Sequence, residues 1–253
     1  MARLIDPDRP DPELIDVLRG AKRPVALCGA GLSAESGIPT FREAQTGFWS
    51  RFDPMTLASP EGFEEAPARV WDWYQWRRSL ILRGHPNAGH HALRELQQRR
   101  PSTCLITQNV DGLQQRAGSD GVIELHGNLS RTICSRTRRR IDEDWLEQHE
   151  DRHPPPSPHH AEGLARPDVV WFGEPLDEGL LGRAIEAAQT SDLMLIIGTS
   201  GLVHPAASLP SVARDHGAAL VEINPDATAL SELSHWRWPQ SSAIALPSLI
   251  GRL

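Results

Sequence analysis

The sequence predicts an α/β fold in which a parallel sheet is covered by helices on both faces and carries a smaller inserted module. Short apolar runs alternate with helical segments along much of the 253-residue chain. The runs are almost continuously apolar, which is typical of strands buried on both faces of a parallel sheet. Polar and glycine residues follow several runs, and folds of this kind bind ligands beyond the carboxyl ends of their strands. We therefore expect the functional site at that edge of the sheet.

The first elements are a helix and a buried strand. Residues 12–19 place apolar side chains at helical spacing behind Asp11, a residue type that caps helix N-termini. The apolar run 24–28 predicts the strand, and Gly29-Ala30-Gly31 predicts a tight turn directly after it. Because glycine lacks a side chain, such a turn lets backbone N–H groups approach a pyrophosphate, which indicates a dinucleotide site. The third glycine of the usual G-x-G-x-x-G pattern is missing, so a plain turn remains the alternative.

The next part of the chain is predicted to be a helical insertion. Residues 40–86 contain no strand pattern. Segments 59–65 and 68–84 both have helical patterns, the first with Ser59 as its cap.

From residue 87 the alternation of helices and strands resumes. The predicted helices are 87–100 and 205–216, and the predicted strands are 102–107, 122–125, 192–198 and 218–224. Between 131 and 166 the composition shifts to an arginine-rich run, an acidic run and a His/Pro tract. We interpret this stretch as a solvated excursion whose opposite charges pair across the surface.

Composition excludes several classes of protein. A net charge of −7 argues against a non-specific nucleic-acid binder. No segment approaches the roughly 20 consecutive apolar residues of a membrane span, and the N-terminal residues MARLIDPD lack the apolar region of a signal peptide. Three cysteines are too few for a disulfide framework. A cytoplasmic location is therefore expected.

Polar side chains follow three of the predicted strands. Gln108, Asn109 and Asp111 come after strand 102–107, and they could hold ribose hydroxyls, a carboxamide or an ordered water. His126 comes directly after strand 122–125, and its ordinary pKa suits a general base, although a single histidine is more often structural. Gly198, Thr199 and Ser200 end the strand 192–198 and form a turn suited to phosphate or ribose contacts.

Several blocks together resemble one family. Ser33, Ser36, Gly37, Ile38, Pro39, Phe41 and Arg42 are similar, in order and spacing, to the NAD-binding signature of the sirtuins, the NAD-dependent protein lysine deacylases. The blocks TQNVD, LHG, GTSGLVHPAA and VEINPDAT follow in the order that the family has them. The resemblance extends from about residue 14 to residue 249.

The resemblance implies a single catalytic domain over 1–253, with one cofactor. Residues 11–39, 87–128 and 175–253 would form the Rossmann-like NAD-binding part, and 40–86 the helical insertion. Residues 129–174 would form the small module, a ribbon-like region without zinc. His126 would be the catalytic base, with Asn109 and Asp111 as its catalytic partners. The implied NAD-binding residues are Gly29, Ala30, Gly31, Ser33, Phe41, Arg42, Gln108, Asn109, Asp111, Gly198, Thr199, Ser200, Asn224 and Ser242.

Two features of the sequence concern binding of the acyl-lysine substrate. The segment VVWFGE is similar to the sirtuin segment that pairs with the substrate backbone, which implies that Val170, Phe172 and Gly173 bind substrate. Tyr74 and Arg77 are three residues apart in a predicted helix, so a phenol and a guanidinium share one face and could grip one carboxylate. Without context such a pair is usually amphipathic packing. In this helix, followed by HPNAGH, it resembles the sirtuin subgroup that removes succinyl and malonyl groups.

The expected function is therefore NAD-dependent removal of succinyl, malonyl or acetyl groups from protein lysines, giving nicotinamide and O-acyl-ADP-ribose. The alternatives are an NAD hydrolase or mono-ADP-ribosyltransferase on the same fold, and a catalytically idle NAD-binding module. The expected partners are acyl-lysine proteins or peptides, with no nucleic acid and no membrane, and the chain is expected to be a monomer.

One departure from the family pattern concerns metal. Most sirtuins hold a structural zinc with two C-x-x-C pairs, and only Cys134 remains here, with Thr137, Pro158 and Ala161 at the other three positions. Structural zinc sites need four ligands, usually most of them thiolates. The alternative is a site made by Cys134 with histidines of the tract His149, His153, His159 and His160, but imidazoles in flexible His/Pro tracts more often stay unliganded. We therefore predict that no metal is bound.

Overall fold

Short apolar strands build the centre of the molecule. The structure is a computed structural model that describes residues 2–6, 11–38 and 51–253. The strands in these ranges are β1 (Arg3–Leu4), β2 (Pro24–Cys28), β3 (Cys104–Thr107), β4 (Ile123–Glu124), β5 (Gly127–Cys134), β6 (Arg140–Ile141), β7 (Ala165–Val169), β8 (Leu193–Ile197), β9 (Ala219–Ile223) and β10 (Trp236–Trp238). The helices are α1 (Pro12–Gly20), α2 (Pro54–Leu57), α3 (Pro60–Glu65), α4 (Pro67–Arg83), α5 (Ala88–Arg99), α6 (Leu113–Arg116), α7 (Glu143–Glu147), α8 (Glu178–Thr190), α9 (Leu209–Asp215) and α10 (Ser242–Ile250).

The larger sheet is parallel throughout and has the order β1-β10-β9-β8-β2-β3-β4. Its chain order reverses between β8 and β2, and a crevice at the carboxyl ends of the strands is expected at such a point. Helices α1, α5 and α10 pack leucines against one face, and α8 and α9 pack alanines and a leucine against the other. The predicted α/β fold with a Rossmann-like parallel sheet is confirmed.

A second, smaller sheet is antiparallel and has the order β6-β5-β7. Helix α4 packs on this sheet through its tryptophans: Trp71 contacts a buried cluster with Cys134 and Ile141, and Trp73 lies in a cluster with Leu129 and Trp171. Helix α4 and the small sheet therefore share two buried clusters. The boundaries predicted for the two modules stay a prediction.

Most charged residues of the segment 131–166 are exposed, in agreement with a solvated excursion, but two of its arginines do not pair as expected. Arg131 donates to Glu124 and Asp168, at 2.7 Å each, and Arg138 lies 3.7 Å from Glu174. The ion pairs that these two arginines make in the described structure therefore go to other elements, and not to the acidic run that follows them. Glu124 belongs to β4 of the larger sheet and Asp168 to β7 of the smaller one, so Arg131 links the two sheets.

The rest of that segment is folded against the small sheet. The Trp145 indole N–H donates to the carbonyl of Pro156 at 2.8 Å, and the indole stacks on the His149 ring with centroids 4.2 Å apart. Leu146 is buried beside Ile141. None of the helices in the described ranges combines the length and apolar character that a membrane span requires.

Candidate active site

A cavity of about 620 Å³ lies at the carboxyl edge of the parallel sheet, where that edge meets the small module. Its lining includes all eight predicted catalytic and substrate-binding residues, together with three of the residues predicted only for the cofactor. Those that line it are Ala30, Ser33, Tyr74, Arg77, Gln108, Asn109, Asp111, His126, Val170, Phe172 and Gly173. Phe41 and Arg42 lie outside the described residues.

The glycine turn after β2 packs directly on the turn after β8. The N–H of Gly31 donates to the carbonyl of Gly198 at 2.8 Å. A Cβ atom on Gly31 would lie 2.7 Å from the Cα of Gly198, so no side chain fits between the two turns. Gly198 itself has φ +57°, the left-handed region in which glycine is favoured. The close approach brings two sets of strand-end polar groups to one place.

Three other predicted cofactor residues, Gln108, Asn224 and Ser242, form hydrogen bonds to the two turns. The Gln108 amide donates to the Thr199 hydroxyl at 3.0 Å, and the Asn224 amide donates to the Thr199 carbonyl at 3.2 Å. The Ser242 hydroxyl, at the start of α10, donates to the Gly31 carbonyl at 3.3 Å. Ser200 follows Thr199 and is exposed. Hydroxyl and amide groups therefore converge beside the glycine turn, a donor set that suits the ribose and phosphate groups of a dinucleotide.

A buried polar network lies next to the same turn. The Ser33 hydroxyl donates to Asp111 at 2.7 Å, and the Asn109 amide donates to the Gly29 carbonyl at 3.0 Å and to Ser33 at 3.3 Å. Asp111 also accepts the N–H of Leu113 at 2.9 Å. Burial raises the pKa of Asp111, although these hydrogen bonds oppose the rise. The network fixes a carboxylate, an amide and a hydroxyl in one orientation.

His126 has the geometry of a general base. Its Nδ1 lies 2.9 Å from the carbonyl oxygen of Gln108. A carbonyl only accepts hydrogen bonds, so the proton of the neutral ring is on Nδ1 and the lone pair is on Nε2. Burial lowers the pKa of His126, so the ring stays neutral at physiological pH and can accept a proton there.

Tyr74 and Arg77 lie on the face of α4 that lines the cavity. The Tyr74 oxygen accepts the indole N–H of Trp171 at 3.0 Å, and burial raises the pKa of the phenol to about 12. The Arg77 guanidinium lies 5.1 Å from the centre of the Trp73 ring, and burial lowers its pKa. Arginine nevertheless remains charged in proteins, so the pair offers a protonated phenol and a cation.

The segment after β7 forms another wall of the cavity. The N–H of Val170 donates to the His126 carbonyl, and the N–H of Phe172 donates to the Ala58 carbonyl, each at 2.9 Å. Val170 and Phe172 therefore attach this wall through their backbones to His126 and to the loop between α2 and α3.

The sequence did not single out His90, which is completely buried behind the cavity. Its Nε2 lies 3.5 Å from the Ser33 hydroxyl, and its Nδ1 accepts the N–H of Asn87 at 3.2 Å. Burial lowers the pKa of His90 to about 4, so it stays neutral. The sequence did contain a local pattern that indicates this contact. Asn87 is a typical helix cap, and His90 is the third residue of α5, a position whose side chain can accept a hydrogen bond from the N–H of the cap.

Of the four positions that the resemblance assigns to zinc ligands, only one holds a cysteine. Cys134 is fully buried. Burial raises the pKa of its thiol, but hydrogen bonds from Ser157 and Thr137 outweigh this and hold the pKa below its usual value. Within the described ranges, no three His, Cys, Asp or Glu side chains are arranged to hold a metal ion. A thiol among hydroxyl groups does not fit a tetrahedral zinc site, and the absence of metal stays a prediction.

Comparison with known proteins gives the family. Residues 29–205 match the model of the Sir2 family. An NAD-dependent protein deacylase of Aeropyrum pernix is 50% identical over 210 residues, which are 83% of this chain and 84% of that protein. The structure of a Sir2 homologue in complex with NAD has a TM-score of 0.86 and 39% identity, and the match covers 95% of this chain and 93% of the other.

A structure of a further Sir2 protein, Sir2Tm, bound to a propionylated peptide, has a TM-score of 0.80 and 31% identity. That match covers 91% of this chain and 93% of the other. The chain belongs to the Sir2 family.

Proposed function

We propose that the chain uses NAD to remove acyl groups from protein lysines, and that it favours acyl groups ending in a carboxylate. The observation that carries the proposal is a single cavity with His126 among its lining residues together with Tyr74 and Arg77. The relatives named above are NAD-dependent deacylases or Sir2 proteins bound to NAD or to an acylated peptide. The names of these relatives support NAD-dependent deacylation. The residues that line the cavity support the preference for acyl groups that end in a carboxylate.

The residues around the glycine turn are those that would hold NAD. The N–H groups of Gly29 and Gly31 donate to carbonyls of Ile197 and Gly198. The pyrophosphate would therefore meet the turn at Ala30, which lines the cavity, and Thr199 and Asn224 offer polar groups beside it. Asn109 and Asp111 would orient the ribose and the carboxamide. When bound, NAD would supply the ribose carbon that bonds to the acyl oxygen as its bond to nicotinamide breaks, and the ribose hydroxyl that finally carries the acyl group.

His126 would then act on a ribose hydroxyl. Its Nε2 lone pair accepts the hydroxyl proton, while the bond from Nδ1 to the Gln108 carbonyl fixes the ring and stabilises the positive charge that forms. Because burial keeps the ring neutral, no proton has to leave His126 before it can act.

The part of the cavity around α4 determines which acyl groups are favoured. Ile38, Ala58, Ile81, Val169 and Trp171 make much of the lining apolar. Tyr74 and Arg77 add hydrogen-bond donors to that lining. A succinyl or malonyl carboxylate accepts from both donors in a charge-assisted contact, whereas the methyl of an acetyl group accepts from neither.

The proposal is tested by nicotinamide release measured under three conditions: NAD alone, NAD with an acetyl-lysine peptide, and NAD with a succinyl-lysine peptide of the same sequence. We expect release that depends on peptide and is faster with the succinyl peptide at limiting concentration. Equal rates with both peptides would contradict the acyl preference. Release at full rate from NAD alone would instead support an NAD hydrolase.

We also infer that the chain acts as a monomer in the cytoplasm, with acylated proteins and not nucleic acids or membranes as its partners. The three cysteines are free thiols in the structure, as expected in a reducing compartment. The net charge of −7 disfavours binding to nucleic acid. Light scattering at micromolar concentration tests the oligomeric state, and a mass of twice 28.0 kDa would contradict it.

A further inference from the structure

Trp171 connects a buried ion pair to the Tyr74 hydroxyl. The Arg166 guanidinium lies 3.4 Å from the centre of the Trp171 ring and donates to both oxygens of Glu174, at 2.7 and 2.9 Å. Glu174 also accepts the backbone N–H of Trp171 at 2.9 Å. At the other end of the side chain, the indole N–H donates to the Tyr74 oxygen at 3.0 Å.

These contacts leave the indole little freedom. Trp171 is 3% exposed and Arg166 is 4% exposed. The Phe63 ring packs against the indole with centroids 5.2 Å apart, and Trp171 also lines a second cavity of about 490 Å³. The ion pair, the stacked guanidinium and the backbone hydrogen bond therefore hold the ring as a fixed wall between two cavities.

The indole N–H determines how the Tyr74 hydroxyl is used. A phenol oxygen can accept hydrogen bonds and donate one. Because the indole N–H can only donate, Tyr74 must be the acceptor in this contact, and its own O–H has to donate elsewhere. Burial raises the pKa of the phenol to about 12, so that proton is present at physiological pH. The O–H is thereby available to a group inside the larger cavity.

We propose that Trp171 is a positioning residue for acyl selectivity, because its indole N–H orients the Tyr74 hydroxyl as a donor toward the acyl carboxylate. The inference rests on the proposed preference for acidic acyl groups. It assigns to Trp171 a role that acts through Tyr74 and needs no contact between the indole N–H and the substrate.

The test is a double-mutant cycle with Trp171→Phe, Tyr74→Phe and the double variant. For each protein, kcat/KM is measured with succinyl-lysine and acetyl-lysine peptides of one sequence, and the ratio of the two values is compared. We expect Trp171→Phe to lower the succinyl-to-acetyl ratio about two- to tenfold, the range for one neutral hydrogen bond, mainly through a higher KM for the succinyl peptide. In the Tyr74→Phe background the same change should lower the ratio no further, because the hydroxyl it orients is gone.

A matched control loses an indole hydrogen bond elsewhere. Trp145→Phe removes the donor to the Pro156 carbonyl in the small module, and it should leave the ratio unchanged. Thermal unfolding of each variant checks folding. If Trp171→Phe does not fold, the benzothiophene analogue of tryptophan at position 171 keeps the shape of the indole without its N–H, and it should lower the ratio by the same factor.

The outcomes separate this inference from the proposed function. A wild-type protein that shows no preference for the succinyl peptide overturns both. A wild-type preference that Tyr74→Phe leaves intact overturns the positioning role alone, because the hydroxyl that Trp171 orients would then not select the acyl group. A wild-type preference that Tyr74→Phe reduces but Trp171→Phe leaves intact overturns the positioning role alone. Additive effects of the two substitutions also overturn it, since they would show that Trp171 acts independently of the hydroxyl.

Discussion

Replacing Arg77 by methionine should remove most of the preference for acidic acyl groups. Methionine keeps an unbranched chain of similar length and deletes only the guanidinium. In the structure that guanidinium lies beside the Trp73 ring on the wall of the cavity, and burial lowers its pKa. A carboxylate bound there would be little screened by water, so its contact with Arg77 should be strong.

The expected magnitude follows from these surroundings. A hydrogen bond to a charged group contributes roughly 1.5–3 kcal/mol, and each 1.36 kcal/mol is about tenfold in a rate or binding constant. Asp111 also attracts Arg77, and this competition moves the value toward the lower end of the range. We therefore expect kcat/KM for the succinyl peptide to fall roughly ten- to a hundredfold.

The assay compares kcat/KM for succinyl and acetyl peptides of one sequence in the wild type and in two variants. Arg83→Met is the matched control, because Arg83 lies on the same helix but is exposed and bonds only to the Ser79 carbonyl among the contacts described. It should not change the ratio between the peptides. An equal loss with both peptides in Arg77→Met would refute the reasoning, since it would show that Arg77 supports the fold or the chemistry and not the acyl carboxylate.

Two further predictions concern histidines. His126→Ala should lower turnover about 10²- to 10⁴-fold while the NAD dissociation constant measured by calorimetry stays nearly the same, because a base that acts after nicotinamide departs adds little to ground-state affinity; unchanged turnover would contradict the assignment. Burial lowers the pKa of His90 to about 4 in the folded protein, so the unfolded chain binds the proton at a higher pH than the folded protein does. The contribution of His90 to the free energy of unfolding should therefore be complete above pH 6.5 and decrease by about 3 kcal/mol as the pH falls toward 4. Urea unfolding at pH 7 and pH 4 should show a smaller difference for His90→Gln than for the wild type.

The sequence predicted the parallel sheet well because its strands are buried on both faces. The run 24–28 was predicted with the bounds of β2, where all five residues are buried. A small module was predicted, but its strand β5 was not, because β5 carries Asn128, Ser130 and Arg131 among its apolar residues, and its pairing with β7 shifts register between Asn128 and Thr132. A strand with this composition and an irregular ladder has no clear twofold pattern.

The part of the candidate site that could be predicted from the sequence is the part that follows directly from the order of parallel strands. Parallel strands bring their carboxyl ends to one edge, so residues that follow β3 and β4, such as Asn109 and His126, had to lie close together. The contact between Trp171 and Tyr74 joins residues 97 positions apart in the chain. It depends on how α4 packs against the segment after β7, and neither segment contains a local signal for the other.

The last prediction concerns the small module, where this chain departs from the zinc pattern that its resemblance implies. Purified protein should contain no stoichiometric zinc, and EDTA should leave its melting temperature unchanged, because Thr137, Pro158 and Ala161 cannot complete a thiolate cage around Cys134. The module is held by other means.

Trp71 of α4 packs into the cluster around Cys134, and the Ser135 hydroxyl accepts the N–H of Leu164 at 3.0 Å. Trp71→Ala should therefore lower the melting temperature of the protein where chelation does not, since truncating a buried tryptophan costs about 3–5 kcal/mol. Elemental analysis that finds about one zinc per chain, together with a lower melting temperature in EDTA, would contradict this account. It would assign to the metal the stability that we attribute to the packing of α4 on the small sheet.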